Sequence, residues 1–208
     1  MRSAGFLSKG ALAGLRLLCV MFFASLLGAC ASLLPPAERG WMPKRDQVQS
    51  FALEGRFSLR HADKNTAGNL SWRHVGARDD LLLASPFGQG VAEIVSDGAG
   101  VRLTASDGKS YLAADAETLT QQVLGYPLPL KNLLGWVRGD AAGGEVEARD
   151  VFARPLRLRH GDWRIDYEYD NDDPQAMPGR LFVQREGVLE LRLRIDEWRN
   201  LSEEDGRP

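Results

Sequence analysis

The chain has few of the residues that do most chemistry. Its 208 residues include two cysteines, Cys19 and Cys30, and three histidines, His61, His74 and His160. The histidines sit beside turns or strand ends, and none pairs with a Cys or Asp at metal-ligand spacing, so no metal site is expected. No serine stands in a G-x-S-x-G context. Gly88 and Gly90 lack a third glycine at the dinucleotide spacing and a helix after it. Basic excess is missing too: 26 Lys and Arg face 28 Asp and Glu, which argues against a nucleic-acid footprint. Asp79-Asp80 and Asp172-Asp173 fall in predicted turns, where solvation is the usual reason for acids. Asp166 and Glu168 lie on the wet face of a strand. As a carboxylate pair they would suit glycoside hydrolysis, but wet-face acids are the simpler reading. No enzyme and no cofactor is expected.

What is present begins at the N-terminus. Arg2, Lys9 and Arg16 precede an eleven-residue apolar core, Leu17 to Leu27. Leu27-Gly28-Ala29-Cys30 follows, and this pattern resembles the lipobox of bacterial lipoproteins. A thiol accepts the diacylglyceryl group, and small residues admit the peptidase. Charged start, short apolar centre and small-residue site together make a secretory signal over residues 1–29. The alternative is a membrane-spanning anchor, since Leu17 to Leu34 is eighteen residues without a charge, at the lower limit of roughly 17 to 25. Either way the rest of the chain faces away from the cytoplasm. Cleavage before Cys30 leaves 179 residues, with 23 basic against 28 acidic and a net charge of −5. Cys30 is then the one cysteine left, so no intramolecular disulfide is available and packing alone holds the domain.

Residues 30–48 read as the lipidated Cys and a tether, with Pro35, Pro36 and Pro43 and no sustained period. Residues 49–199 read as the domain, and 200–208 as a polar tail. Strand grammar starts at once: Phe51, Leu53, Gly55, Phe57 and Leu59 alternate with polar residues. His61 to Gly68 is expected to turn. Further strands are expected at Asn69–Val75, Leu81–Ser85, Val91–Ser96, Val101–Ala105 and Ser110–Ala113. Two short helices interrupt, one capped by Asp115 and stopped by Gly125, the other Leu130–Arg138 ended by Gly139. Asp140 to Gly144 is expected to be loose. Strands resume at Leu156–His160, Trp163–Tyr169, Arg180–Arg185 and Val188–Trp198. Ten or eleven antiparallel strands with one apolar face cannot be covered flat by two short helices. The sheet must curl into an incomplete barrel with the helices on its concave side. A dense core and an apolar cavity fit this pattern equally. Ser85-Pro86-Phe87-Gly88-Gln89 is a turn between apolar strands. Phe87 either folds back on the core or protrudes as an apolar finger.

Several stretches in order resemble the LolB family of outer-membrane lipoprotein receptors. They are the Cys30 lipobox, Phe51-x-Leu53-x-Gly55-Arg56-Phe57, Trp72, Leu82-x-x-Ser85-Pro86-Phe87-Gly88 and Asp115-Ala116-Glu117. Then come Leu124-Gly125-Tyr126-Pro127-Leu128-Pro129, Leu133-x-x-Trp136-Val137-x-Gly139, Trp163-x-Ile165-x-Tyr167, Met177-Pro178 and Ile195-x-x-Trp198. The resemblance implies an incomplete β-barrel lidded by helices over an apolar cavity. It implies a monomer that accepts lipoproteins from a soluble periplasmic carrier, LolA, and places their acyl chains among outer-membrane phospholipids. Lining residues are then expected at Leu53, Phe57, Leu70, Trp72, Leu83, Leu103, Trp136, Ile165, Leu191 and Leu193. A protruding apolar residue in the Pro-x-Gly turn is implicated in delivery. It is more usually Leu, and here it is Phe87. Ala31 and Ser32 after Cys30, with no Asp, favour the outer membrane by resemblance to enterobacterial sorting. A scaffold lipoprotein with a packed core is the alternative.

Overall fold

A computed structural model of the chain describes residues 48–141 and 143–202. The signal segment, Cys30, Trp41 and nearly all of the tether lie outside the described residues, as does the tail from 203. Eleven strands form one antiparallel sheet: β1 Phe51–His61, β2 Lys64–Val75, β3 Arg78–Ala84, β4 Gly90–Asp97, β5 Gly100–Ala105, β6 Ser110–Ala113, β7 Glu145–Arg149, β8 Pro155–His160, β9 Trp163–Glu168, β10 Arg180–Arg185 and β11 Leu189–Asn200. Their order is β6-β5-β4-β3-β2-β1-β11-β10-β9-β8-β7, so the first and last strands pair in the middle and the sheet stays open at β6 and β7. Helices α1, Ala116–Leu124, and α2, Leu130–Val137, are inserted between β6 and β7.

The alternation read from the sequence sets the faces. In β11, Leu189, Leu191, Leu193 and Ile195 are buried while Arg192 and Asp196 are exposed. Leu103 of β5 and Leu158 of β8 belong to one buried cluster, although eight strand positions separate them. Flat, that separation is about 38 Å at ~4.8 Å per strand. Two helices, each ~10 Å wide, cover it only if the sheet curls around them. Gly55 marks where it bends. The β1–β11 register shifts between Glu54 and Gly55, and a Cβ on Gly55 would stand 2.2 Å from the Arg194 carbonyl oxygen. The bulge needs that close approach. Gly55→Val is expected to cost about 3 kcal/mol, read as a lowered midpoint in urea unfolding.

The helices are fixed locally and then tied to both ends of the sheet. The Asp115 carboxylate accepts from the Thr118 N–H at 2.7 Å, and Gly125 closes α1 with φ 86°. Capping N–H donors hold the Asp115 carboxyl below its ordinary range. Thr120 is 1% exposed. Its hydroxyl donates to the Ala116 carbonyl and accepts from the Leu128 N–H, both at 2.8 Å. Tyr126, after α1, stacks on His61 with ring centroids 4.3 Å apart. Burial pushes its phenol up to about 12. α2 buries Leu133, Trp136 and Val137. Beyond it the Arg138 guanidinium donates to the Val48 carbonyl at 2.6 Å. Among the described residues the buried core runs from Val48 to Ile195.

Three expectations are corrected. Glu145–Arg149 is a strand, the β7 edge, where no strand was expected. β2 begins at Lys64, not Asn69, because its polar start pairs with the end of β1, Arg60 facing Asn65 and Ser58 facing Ala67. Asp79 is in β3 and not a turn: opposite His74, its Oδ1 lies 2.8 Å from His74 Nδ1 and accepts from Trp72 Nε1 at 2.9 Å.

Candidate functional site

Antiparallel pairing gives the sheet two ends. Val48 precedes β1 at one, with the turns around residues 76–77 and 98–99. At the other, distal end lie the turns around 62–63, 86–87, 107–108, 161–162 and 186–187. The apolar interior is covered unevenly between them. Leu53, Leu70, Trp72, Leu103, Trp136, Ile165, Leu191 and Leu193 all join the buried cluster. Phe57 and Leu83 also face it but remain half-buried. They are not alone. Leu70, Leu83, Ala92 and Ala105 share one row across β2 to β5, and the last three are half-buried. On the helical side Val123, Leu128, Leu130 and Leu134 are half-buried against the same core. The structure therefore brings all ten expected lining residues together. It seals eight of them and leaves an apolar, partly uncovered stretch toward the distal end. Ala92 and Ala105 were not singled out from the sequence, because alanines carry little pattern until the strand register is known.

Phe87 stands beside that stretch. The turn is built by Pro86 and by Gly88 at φ 86°. Gly88 N–H donates to the Ser85 carbonyl at 2.9 Å, and Ser85 N–H donates to the Gln89 carbonyl at 2.7 Å. This is a type I turn closed by a left-handed Gly, a common three-residue hairpin loop. It points Phe87 away from its own strands, and the residue is 93% exposed. Folding back onto the core is thereby excluded. Cys30 lies outside the described residues.

The opposite, outer face of the sheet is of another kind. A groove of about 730 Å³ there is lined by charged Arg56, Asp166, Glu168, Arg180, Arg192 and Arg194 together with Ser58, Phe57, Leu181, Phe182 and Leu193. Asp166 meets Arg157 at 2.5 Å and Arg164 at 3.1 Å, and Glu168 meets Arg180 at 2.7 Å. Both carboxylates are occupied by guanidinium partners. Among the described residues no three His, Cys, Asp or Glu gather as a metal site, and no helix is long and apolar enough to cross a membrane.

The model of the family described as outer membrane lipoprotein LolB matches residues 49–198. The chain belongs to the LolB family. Its LolB relatives include the outer-membrane lipoprotein LolB of Dechloromonas aromatica, 39% identical over 86% of this chain and 95% of that one. Another, from Thiobacillus denitrificans, is 37% identical over 89% of this chain and 98% of its own length. A solved LolA superfamily protein from Nitrosomonas europaea aligns over 78% of this chain and 91% of its own, at 8% identity and a TM-score of 0.46. Membership in the LolB family places the protein at the outer membrane as a lipoprotein. The LolB match takes in both described helices and all the described strands but the last two residues of β11.

Proposed function

We propose that this LolB-family protein receives lipoproteins from a LolA-like periplasmic carrier and inserts their acyl chains into the outer membrane. The observation that carries the reading is one juxtaposition. A partly uncovered apolar interior, at Phe57, Leu83, Ala92 and Ala105, lies next to a fully exposed Phe87. Acyl chains enter there, between the sheet and the Tyr126–Leu130 crossing. The two helices act as the lid. Cys30 carries the protein's own lipid, and residues 31–47 form its leash.

The energetics need no nucleotide. Each buried CH₂ contributes about 0.8 kcal/mol, so a long chain does not cross water unaided, and a shielded interior removes that barrier. A receptor binding tenfold tighter than the carrier needs about 1.4 kcal/mol of difference. The bilayer then takes the chains because it binds them better still. No covalent bond changes.

The sealed part of the core favours one other reading, a scaffold lipoprotein with a packed interior. Fatty-acid uptake separates the two. A charge at Leu191 is a poor probe, because an unpartnered buried charge costs the fold itself. Leu83 is half-buried, so Leu83→Arg keeps its guanidinium in water. That variant is expected to stay folded and to bind a fluorescent fatty acid at least about tenfold more weakly. Unchanged uptake in Leu83→Arg, or no saturable uptake by the parent protein, supports the scaffold.

A further inference from the structure

Resting on the delivery role of Phe87, we propose that it does not act as a lone finger. It is the tip of an apolar wedge whose outer flank, formed by Leu82, Ala84 and Val91, seats in the lipid with it. Sequence and register place these residues together. No ionisable residue occurs from Leu81 through Ala92. Leu83 and Ala92 face inward, so alternation turns Leu82 and Ala84 to the outer face. The β3–β4 register shifts between Leu83 and Ala84, which brings Val91 beside the turn. Leu82 is 49% exposed and Val91 48%. On the outer face of β1 and β8–β11, by contrast, arginine–carboxylate pairs dominate.

Two further observations say that lipid is what covers this flank. The first is that the polar groups at the base of the turn are satisfied internally, as a lipid environment favours. The Ser85 carbonyl accepts from Gly88 N–H and from the Asn69 side-chain amide at 3.1 Å. Ser85 Oγ accepts from the Gln89 N–H at 3.2 Å, and the Val91 carbonyl accepts from the Ser106 N–H at 2.9 Å. The second is reach. The chain joins the domain at Val48, the end of the sheet opposite the wedge, roughly 35 Å away by strand rise. Residues 30 to 48 span at most roughly 60 Å, enough for the distal end to turn down onto the bilayer that holds the anchor. Leu82 lies about 10 Å below the tip at ~3.3 Å per residue, which matches the ~5–10 Å depth of an interfacial apolar face. Exposed Glu93 stands opposite Leu82 on the same face and exposed Arg102 one row lower, so the water line runs at the level of Leu82.

The test uses the mature, lipid-anchored protein in phosphatidylethanolamine–phosphatidylglycerol vesicles. With Cys30 acylated, one introduced cysteine is the one free thiol, and the unsubstituted protein is the labelling control. Cysteines at Leu82, Phe87, Val91 and, as the control on the water side, Arg102, one row lower than Leu82, are labelled in turn with an environment-sensitive dye. Quenching by acyl-chain-brominated lipid is then read. The wedge predicts quenching at 82, 87 and 91 and none at 102. Leu82→Ser with Val91→Ser is predicted to weaken vesicle partition of the unanchored domain by about thirtyfold. Quenching at 87 alone overturns the wedge while leaving the Phe87 finger intact. A dye at 87 that stays in water overturns both. Unchanged partition of the double serine variant also counts against the wedge.

Discussion

Phe87→Glu is expected to accept lipoprotein normally and to deliver it at least about a hundredfold more slowly to vesicles. The position is 93% exposed and contributes nothing to the core, so folding and uptake have no reason to change. Delivery has every reason to. Placing a phenyl ring in an apolar phase contributes about 1.5 to 3 kcal/mol, and a carboxylate replaces that gain with a cost of dehydration. Phe87→Leu, which keeps a large apolar side chain at the tip, is expected to keep most of the rate. The check is release of lipoprotein from the loaded variant into vesicles, measured beside its loading from the carrier. Equal loss of loading and delivery would move the role of Phe87 from the membrane to the carrier contact.

Trp72→Ala is expected to cost about 3 to 5 kcal/mol of folding stability, a large share of the roughly 5 to 15 kcal/mol a domain has. Trp72 is 1% exposed. Its ring meets Phe51 edge-on with centroids 5.6 Å apart, and Phe51 in turn meets Trp198 at 5.3 Å. This cluster joins β2 to β1 and β11, where the chain's first and last strands close the middle of the sheet. The indole N–H also donates to Asp79. Removing the ring leaves a large void and takes one donor from a carboxylate held between Trp72 and His74. Trp72→Phe keeps most of the volume and is expected to lose only about 1 to 2 kcal/mol for the hydrogen bond. Urea midpoints of the two variants give the comparison. An alanine variant as stable as the parent would mean that this end of the core is loosely packed.

Much of this architecture is legible before any coordinates. β11 alternates without a break, the Asp115 cap and the Gly125 stop bound α1, and the mismatch between many strands and two helices requires a curled sheet. What escapes the sequence does so for physical reasons. β7 is an edge strand whose Glu145, Glu147 and Arg149 suit solvent and guard the edge, so its composition resembles a loop. Asp79 looks like a turn residue until the hairpin register sets it opposite His74. The lining residues are recognisable as inward-facing, but alternation does not tell which inward positions the helices cover. Leu191 and Leu83 look alike in the sequence. Yet Leu191 is buried and Leu83 only half-buried. Phe87 is ambiguous for the same reason: its fate depends on a turn geometry that Gly88 permits but does not by itself dictate.

The most direct test mixes a purified carrier–lipoprotein complex with the domain beginning at Ala31, in the absence of nucleotide, and asks which protein holds the lipoprotein. The receptor account predicts that the lipoprotein moves to this domain and is recovered with it as a one-to-one complex. Lipoprotein that remains on the carrier, with the domain shown to be folded, would contradict it.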